Sequence, residues 1–264
     1  MNLQLEGKRA LVTGSTAGIG FAVANTLVAE GAHVIVNGRK RDRIENALTQ
    51  IKSQNPQGSV EGIVVDFADR SSIEDLLNQC DEVDILVNNV GIFKASDFTQ
   101  TSDEEWYEMF DVNVMSGIRL ARHYFPKMMA KNWGRIIFIS SESGVQVDAR
   151  WVHYGMSKTA QLGVANGLAR LTKGSNVTVN AVLPGSTMSE GASAFVKGLA
   201  EEQNISEEEA ARAFIKNERP NCLLERFATT QEVANMIAYL SSPLASATNG
   251  ATIRADGGTI PTIL

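Results

Sequence analysis

The fold is indicated first by the stretch Arg9-Ala10-Leu11-Val12-Thr13-Gly14-Ser15-Thr16-Ala17-Gly18-Ile19-Gly20. Its beginning, from Arg9 to Thr13, is short and apolar and predicts a β-strand. The part from Ile19 to Glu30 has the pattern of a helix closed by Gly31. Glycines between a strand and a helix let backbone N–H groups approach a phosphate at the helix N-terminus. The spacing is Gly-x-x-x-Gly-x-Gly, not the better-known Gly-x-Gly-x-x-Gly, but its place in a β-α-β unit favours a dinucleotide site over a turn that binds nothing.

Short apolar runs and helical patterns alternate along the rest of the chain. Further strands are predicted at 33–36, 60–65, 83–87, 135–140, 177–182 and 251–254, and helices at 42–52, 72–78, 103–130, 152–172, 189–216 and 231–240. The strands are apolar on both faces, which predicts a single-domain α/β fold over residues 1–264, with a doubly wound parallel sheet of about seven strands and helices on both faces. Residues 188–226 interrupt the rhythm and are expected to form a substrate lid within the domain.

Composition narrows the functional classes. The chain has 264 residues, 44% of them hydrophobic and 20% charged, with a net charge of -6. This charge argues against nucleic acid and anionic membranes as partners. Cys80 and Cys222 lack a metal-ligand spacing, so no metal site is expected. The start shows no basic region followed by an apolar run, and no apolar stretch is long enough to span a bilayer, so we expect a cytoplasmic enzyme.

The end of the second strand bears on the choice of cofactor. Val36 is followed by Asn37-Gly38-Arg39-Lys40-Arg41, where an acidic residue would bind the ribose 2′-hydroxyl of NAD. Arg39 could instead hold a 2′-phosphate, with Lys40 or Arg41 adding charge. Because Ala17 offers no second basic residue in the glycine loop, NADP(H) is favoured but NAD(H) stays open.

A second candidate site is the stretch Tyr154-Gly155-Met156-Ser157-Lys158. A spacing of four residues places Tyr154 and Lys158 on one face of a helix. An ammonium beside a phenol favours the phenolate and should lower the pKa of the tyrosine, which suits acid/base catalysis. The pair alone favours an exposed helix face over a catalytic site, so its meaning depends on the residues around it.

Taken together, these motifs resemble those of the short-chain dehydrogenase/reductase family, over essentially the whole chain and in the family's order. The matching positions are Gly14, Gly18 and Gly20; Asn88-Asn89-Val90-Gly91, with Val90 where the family has alanine; Asn113; Ser141; Tyr154 and Lys158; Pro184-Gly185 and Thr187; and Asp256-Gly257-Gly258. The last of these is expected to be mainly structural.

The resemblance implies a Rossmann-type fold and a catalytic set of Asn113, Ser141, Tyr154 and Lys158. Tyr154 would donate a proton to the developing alkoxide and Ser141 would hydrogen-bond the same oxygen. Lys158 would hold the nicotinamide ribose and lower the pKa of Tyr154, and Asn113 would support a water that passes protons to Lys158. The implied cofactor-binding residues are Gly14, Ser15, Thr16, Gly18, Ile19, Gly20, Arg39, Asp66, Phe67, Asn88, Gly91, Tyr154, Lys158, Pro184, Gly185 and Thr187.

The predicted function is hydride transfer between NADP(H) and a small carbonyl compound or secondary alcohol. Two alternatives stay open: a non-catalytic dinucleotide-binding sensor, and a 3-oxoacyl reductase of fatty-acid synthesis. Glu142 and His153 flank the catalytic residues and could also point into the pocket. In the lid, the side chains expected to line an apolar pocket or pack between helices are Met188, Phe195, Val196, Leu199, Phe214 and Ile215.

The resemblance also implies a homo-oligomer. Helices 103–130 and 152–172 would pair across two-fold axes, giving a dimer or, as we expect, a tetramer. The apolar tail Thr259–Leu264 is unusual for a free surface and is expected to be buried against a neighbouring copy.

Overall fold

Nine strands occur among residues 2–263, which are the residues that the computed structural model describes. They are β1 (Arg9–Val12), β2 (His33–Gly38), β3 (Ser59–Val64), β4 (Ile85–Asn88), β5 (Gly134–Ile139), β6 (Val177–Pro184), β7 (Thr187–Met188), β8 (Ala228–Thr229) and β9 (Thr252–Ala255). Seven of them form one parallel sheet in the order β3-β2-β1-β4-β5-β6-β9. The chain therefore winds outward in both directions from the β1–β4 pair, as the sequence predicts.

Helices cover both faces of this sheet. They are α1 (Gly18–Ala29), α2 (Arg41–Gln54), α3 (Arg70–Gln79), α4 (Asp103–Phe110), α5 (Ser116–Lys131), α6 (Val152–Arg170), α7 (Glu190–Gln203), α8 (Glu207–Glu218) and α9 (Thr230–Ser241). Two buried clusters lie on opposite sides of the strands: α1, α2 and α9 pack on one side, and α3, α5 and α6 on the other. Neighbouring residues of β1 enter different clusters, Val12 one and Leu11 the other, which explains why each strand is apolar on both faces.

The long helical stretch predicted at 103–130 contains a change of helix type. A π-helical segment, Asp111–Met115, joins α4 to α5 without a break in the chain direction. π-Helical segments are rare in proteins, and those that occur often lie at functional sites. Here the segment carries Asn113, which is 1% exposed and faces the site described below.

The lid region differs from the sequence prediction in two ways. The single helix predicted at 189–216 is wrong, because α7 ends at Asn204, whose backbone is left-handed with φ 52°, and α8 starts afresh from a capping box at Ser206. Asparagine tolerates this conformation and can stop a helix as glycine does. Strands β7 and β8 pair in a separate two-stranded sheet and were not predicted, since two residues each are too few to show a period.

The C-terminal tail is held by its own chain over its first part. The carboxylate of Asp256 accepts hydrogen bonds from the backbone N–H groups of Gly258 (3.1 Å) and Ile260 (3.0 Å). Thr259 and Ile260 are consequently buried, which corrects the expectation that they need a neighbouring copy for burial. Ile263 is 95% exposed, and Leu264 lies outside the described residues. In the described part of the chain, no helix is both long and apolar enough to cross a bilayer.

Candidate active site

The glycine-rich loop joins β1 to α1 at the carboxyl edge of the sheet. Gly14 and Gly18 have left-handed backbones, with φ +62° and +59°, that other residues rarely adopt. Gly20 is required for another reason, since a Cβ atom there would lie 2.4 Å from the carbonyl oxygen of Gly14. The loop therefore brings the backbone close to the cleft, and its three glycines are required by backbone conformation or close contact.

Two asparagines fix the loop from below. The Asn37 Oδ1 atom accepts a hydrogen bond from the N–H of Gly14 (2.9 Å), and Asn89 Nδ2 donates to the carbonyl oxygens of Thr13 (2.8 Å) and Gly14 (3.1 Å). Neither asparagine was singled out for this role, although Asn89 stands in the quoted Asn-Asn-Val-Gly motif. A side chain that bonds to backbone carbonyls of a distant strand leaves no spacing pattern in the sequence.

The predicted cofactor residues Ser15 and Asn88 do not line the cleft. Ser15 is fully buried. Its hydroxyl donates a hydrogen bond to the carbonyl oxygen of Val12 (2.6 Å), and its backbone N–H donates one to the carbonyl oxygen of Asn37 (3.0 Å). Asn88 is 3% exposed at the end of β4. Ser15 therefore supports the loop from within the fold.

Three of the four residues predicted to be catalytic, Ser141, Tyr154 and Lys158, lie across the cleft from the glycine loop. One cavity of about 410 Å³ is bounded by both groups. The predicted residues on its wall are Gly18, Ile19, Gly20, Gly91, Ser141, Tyr154, Lys158, Pro184, Gly185 and Thr187. Residues far apart in sequence thus meet at one place, and the wall also includes Asn89, Ile92 and Phe93, which were not predicted.

Lys158 is buried at the base of this cavity. Its ammonium donates hydrogen bonds to the carbonyl oxygen of Ile139 (2.9 Å) and to Oε1 of Gln161 (3.3 Å). Gly91 leaves it room, because a Cβ atom at Gly91 would lie 3.4 Å from Lys158 Nζ. Burial lowers the pKa of Lys158 to about 8, so the group titrates close to neutral pH.

The pKa of Tyr154 is shifted in the direction opposite to the prediction. Burial of the phenol raises its pKa to about 12, although a hydrogen bond with Ser141 works against the rise. The Lys158 ammonium lies 5.6 Å from the centre of the Tyr154 ring, and burial weakens its own charged state. With these protein groups alone, desolvation therefore outweighs the attraction of the lysine for a phenolate.

Asn113 is adjacent to the cavity rather than on its wall. Its Oδ1 atom accepts a hydrogen bond from the N–H of Ile92 (2.7 Å), and its Nδ2 atom donates to the carbonyl oxygen of Ile92 (3.0 Å) and to Ser157 Oγ (3.0 Å). Its backbone carbonyl oxygen accepts a hydrogen bond from Gln161 Nε2 (2.6 Å). Asn113 thus joins the loop after β4 to α6, and its carbonyl is linked to Lys158 through a side chain that the sequence analysis overlooked.

A second cavity, of about 360 Å³, continues the cleft past the end of β2. The predicted residues on its wall are Gly14, Thr16, Arg39, Asp66, Phe67 and Gly91. Lys40 and Arg43 add two further positive charges, and Arg43 pairs with Glu190 of α7 at 2.6 Å. This end of the cleft is accordingly basic and has the position expected for the adenosine part of a dinucleotide.

A third cavity, of about 660 Å³, opens on the other side of Tyr154. It lies between the lid and the loop after β5 that carries Ser141 and Glu142. Six aromatic side chains lie on its wall: Phe93, Trp151, Tyr154, Phe195, Phe214 and Phe227. Of the lid side chains named in the sequence analysis, Phe195 and Phe214 reach this wall, with ring centroids 5.4 Å apart. Val196, Met188 and Leu199 instead pack in a small core of the lid itself.

Glu142, next to Ser141, lies on the wall of the aromatic cavity, whereas His153 does not. The Glu142 carboxylate accepts a hydrogen bond from Arg219 Nε at 2.5 Å. This pair connects the loop after β5 to the end of the lid. Burial raises the pKa of Glu142 even with Arg219 beside it. His153 is buried against Trp106, with ring centroids 5.8 Å apart, which argues against a role for it as the base.

The residues present fit a nicotinamide dinucleotide. The glycine loop offers backbone N–H groups near a helix N-terminus for a pyrophosphate. A basic cavity lies at one end of the cleft, and the Tyr154 and Lys158 side chains lie at the other. No cluster of metal-ligating side chains occurs among residues 2–263.

Comparisons with known proteins agree with this geometry. A family model described as short chain dehydrogenase matches residues 8–199. The chain is 42% identical over 263 residues to an uncharacterized oxidoreductase, YvaG, of Bacillus subtilis (strain 168), with 100% of both chains covered. It is 33% identical over 264 residues to the 3-oxoacyl-acyl-carrier-protein reductase of Salmonella typhimurium (strain LT2), covering 97% of this chain and 98% of the relative. The crystal structure of L-sorbose reductase from Gluconobacter frateurii, complexed with NADPH and L-sorbose, superimposes with a TM-score of 0.92 at 29% identity, with 100% of both chains covered.

Proposed function

The chain belongs to the short-chain dehydrogenase family of oxidoreductases, and we propose that it transfers a hydride between NADP(H) and a carbonyl group or secondary alcohol. One observation supports this most: Ser141, Tyr154 and Lys158 share a cavity with the glycine-rich loop, and the aromatic cavity opens from the same tyrosine. A non-catalytic sensor would not need this arrangement of acid/base residues between two cavities.

In the reductive direction, Tyr154 acts as the acid. The bound nicotinamide supplies the hydride, which the protein's own side chains cannot do. Because burial raises its pKa to about 12, the Tyr154 phenol carries its proton at neutral pH and can give it to the carbonyl oxygen as that oxygen becomes an alkoxide. The Ser141 hydroxyl hydrogen-bonds the same oxygen, and Lys158 holds a ribose hydroxyl and favours the phenolate that remains.

NADP(H) is the proposed cofactor because positive charge is concentrated beyond the end of β2. Arg39, Lys40 and Arg43 lie on the wall of the second cavity. At the position where an acidic residue would bind the ribose of NAD, Asn37 is buried and its side chain is used by the glycine loop. Fluorescence titrations with NADPH and NADH test this choice: Arg39→Ala should weaken NADPH binding about tenfold and leave NADH nearly unchanged. Tighter binding of NADH by the unmodified protein would refute it.

The substrate class follows from the aromatic cavity. The six aromatic side chains on its wall favour an aryl or alkyl ketone, or the matching secondary alcohol, over a polyhydroxylated sugar. A second candidate, reduction of 3-oxoacyl thioesters, is favoured by the 33% identity to a reductase of that type. NADPH oxidation measured with an aryl alkyl ketone, a ketose and a 3-oxoacyl thioester separates the candidates. The account predicts turnover of the ketone, and no turnover of any carbonyl would contradict the proposed function.

We further propose a cytoplasmic homotetramer, or a dimer as its half-assembly. The exposed side of α6 supports close helix contact, since Cβ atoms added at Gly163 and Gly167 would meet nothing within 4 Å. Light scattering at micromolar concentration should give four times the mass of one chain, and cell fractionation tests the location. A monomeric mass would contradict the assembly.

A further inference from the structure

Gln161 lies on α6, three residues after Lys158, so the two side chains emerge from the same face of the helix. It is only 2% exposed, although glutamine is among the residues that usually remain in water. A buried amide must be hydrogen-bonded to offset its desolvation. The bonds that Gln161 makes therefore indicate why it is there.

Both ends of the Gln161 amide contact the catalytic machinery. Nε2 donates to the backbone carbonyl oxygen of Asn113 at 2.6 Å, and Oε1 accepts from Lys158 Nζ at 3.3 Å. The chemistry of the partners fixes the orientation of the amide, because an ammonium can only donate and a carbonyl oxygen can only accept. The side chain thus bridges the π-helical segment and the catalytic lysine without a water between them.

This bridge determines where the lysine protons point. Lys158 has three N–H donors, and among the described residues two acceptors, Ile139 O and Gln161 Oε1, take two of them. The third is then directed to the cleft, on the side of Gly91 and Tyr154. A neutral acceptor also favours the charged form of the amine, against the burial that lowers its pKa.

We propose that Gln161 is a positioning residue, which holds Lys158 protonated and oriented by tying it to the Asn113 carbonyl. The inference rests on the proposed function for its catalytic meaning, but the effect on Lys158 itself is independent of any substrate. Gln161 links Asn113 and Lys158 by two direct hydrogen bonds, and the sequence analysis had considered only a water for such a link.

The test compares two substitutions with opposite expected signs. Gln161→Leu removes the acceptor, so the pKa of Lys158 should fall further below its ordinary value. Gln161→Glu places a carboxylate beside the ammonium, so the pKa should rise. If Gln161 only fills space, Gln161→Leu leaves the pKa of Lys158 unchanged, and only Gln161→Glu shifts it, through its added charge. Asn166→Ala is the matched control, because Asn166 also donates to a backbone carbonyl from α6 but lies away from the site.

The primary measurement is NMR titration of the protein carrying ¹³C-labelled lysine, with the Lys158 signal identified by its loss in Lys158→Met. The unmodified protein and Asn166→Ala should titrate near pH 8. Gln161→Leu should titrate about one unit lower and Gln161→Glu about one unit higher, the range expected for a hydrogen bond to a charged group. Titration of Gln161→Leu at the same pH as the unmodified protein and Asn166→Ala overturns the proposal.

A second measurement uses turnover. With the carbonyl substrate saturating, kcat for reduction should fall as pH rises through the pKa of Lys158, and Gln161→Leu should move this limb to lower pH. Its kcat should drop about twofold at pH 7 and close to tenfold at about pH 9, as a fall of about one unit in the pKa of Lys158 requires. An active unmodified enzyme with the same pH profile in Gln161→Leu would refute only the role of Gln161. Absence of turnover in the unmodified enzyme would refute the proposed function while the titration still decides the inference.

Discussion

The glycine-rich loop and the lid, residues 188–226, are held in place by different physical means. The loop is fixed by buried side-chain hydrogen bonds to its backbone, from Asn37 and Asn89, and by contacts too close for any Cβ atom at Gly20. The lid is fixed by ion pairs, among them Arg43–Glu190, Arg150–Glu218 and Arg219–Glu142, and by the stacking of Phe214 on Phe227 outside it. The difference teaches that the glycine-loop end of the cleft is fixed by buried hydrogen bonds and close backbone contacts, while the aromatic end depends on ion pairs and ring contacts between side chains.

The largest effect on unfolding free energy is expected from a variant that breaks the attachment of the lid. Arg219→Met leaves the Glu142 carboxylate without its ion-pair partner. The carboxylate then stays buried and unpaired, because the side chains of Arg219 and Glu142 are only 12% and 8% exposed. Loss of one partner of a buried pair costs about 3 kcal/mol of unfolding free energy, measured by urea denaturation. The matched control is Arg212→Met, whose pair with Glu208 is 72% and 74% exposed and should contribute less than about 0.5 kcal/mol.

The same variant has a defined pH dependence. Without Arg219, the folded-state pKa of Glu142 rises further above its unfolded value, because burial then acts unopposed. The loss of stability should therefore be present at neutral pH and disappear as the pH falls below about 4.5, where the carboxyl is protonated in both states. The double variant Glu142→Gln/Arg219→Met should recover most of the loss at pH 7. A loss independent of pH would show that Arg219 acts by packing alone.

The next prediction compares the substitution of one glycine in the glycine-rich loop with that of one glycine in the lid. Gly20→Ala forces a Cβ atom to within 2.4 Å of the Gly14 carbonyl oxygen, so the loop must shift. We expect unfolding free energy to fall by about 1–3 kcal/mol and NADPH affinity to fall at least tenfold. Gly198→Ala on α7 meets nothing within 4 Å and should be neutral or stabilising by up to about 1 kcal/mol. Equal effects of the two changes, in thermal unfolding and NADPH titration, would remove the contrast between the regions.

The smallest expected effect tests whether the lid selects the substrate. Phe214 stacks on Phe227 with ring centroids 5.5 Å apart and borders the aromatic cavity. Phe214→Ala should lower kcat/KM for an aryl ketone about tenfold, because apolar contact area with the substrate is lost, while the Kd of NADPH stays the same. Phe98→Ala, which removes an exposed ring outside this cavity, should change neither value. A parallel loss of NADPH binding in Phe214→Ala would place the ring at the cofactor end instead.

The contrast also explains how much could be predicted from the sequence. The sheet, its helices and the glycine loop were predictable, because buried parallel strands and left-handed glycines restrict residue types at fixed spacings. The change to π-helix at Asp111–Met115 was not, since it leaves no period in the sequence. The break at Asn204 was overlooked, although Asn204 and the capping box at Ser206 are local signals for the end of one helix and the start of the next. Gln161 was missed because its partners, Asn113 and Lys158, meet only in the folded chain.

Two predictions about chemistry failed for a common reason. The sequence places a lysine beside Tyr154 but does not show how far the two groups are withdrawn from water, and desolvation reverses the expected pKa shift of the phenol. Similarly, Ser15 stands in the glycine motif, but only the fold shows that its hydroxyl and N–H bond inward. Spacing identifies which residues meet, whereas burial decides what each of them can do.

The role of Tyr154 as the acid is tested most directly by Tyr154→Phe, which removes one hydroxyl from the wall shared by the two cavities. NADPH binding by fluorescence titration should be unchanged within about twofold. The rate of ketone reduction at saturating substrate should fall about a hundred- to ten-thousand-fold, the usual contribution of a general acid. Reduction at the rate of the unmodified enzyme, with NADPH bound equally well, would contradict the account.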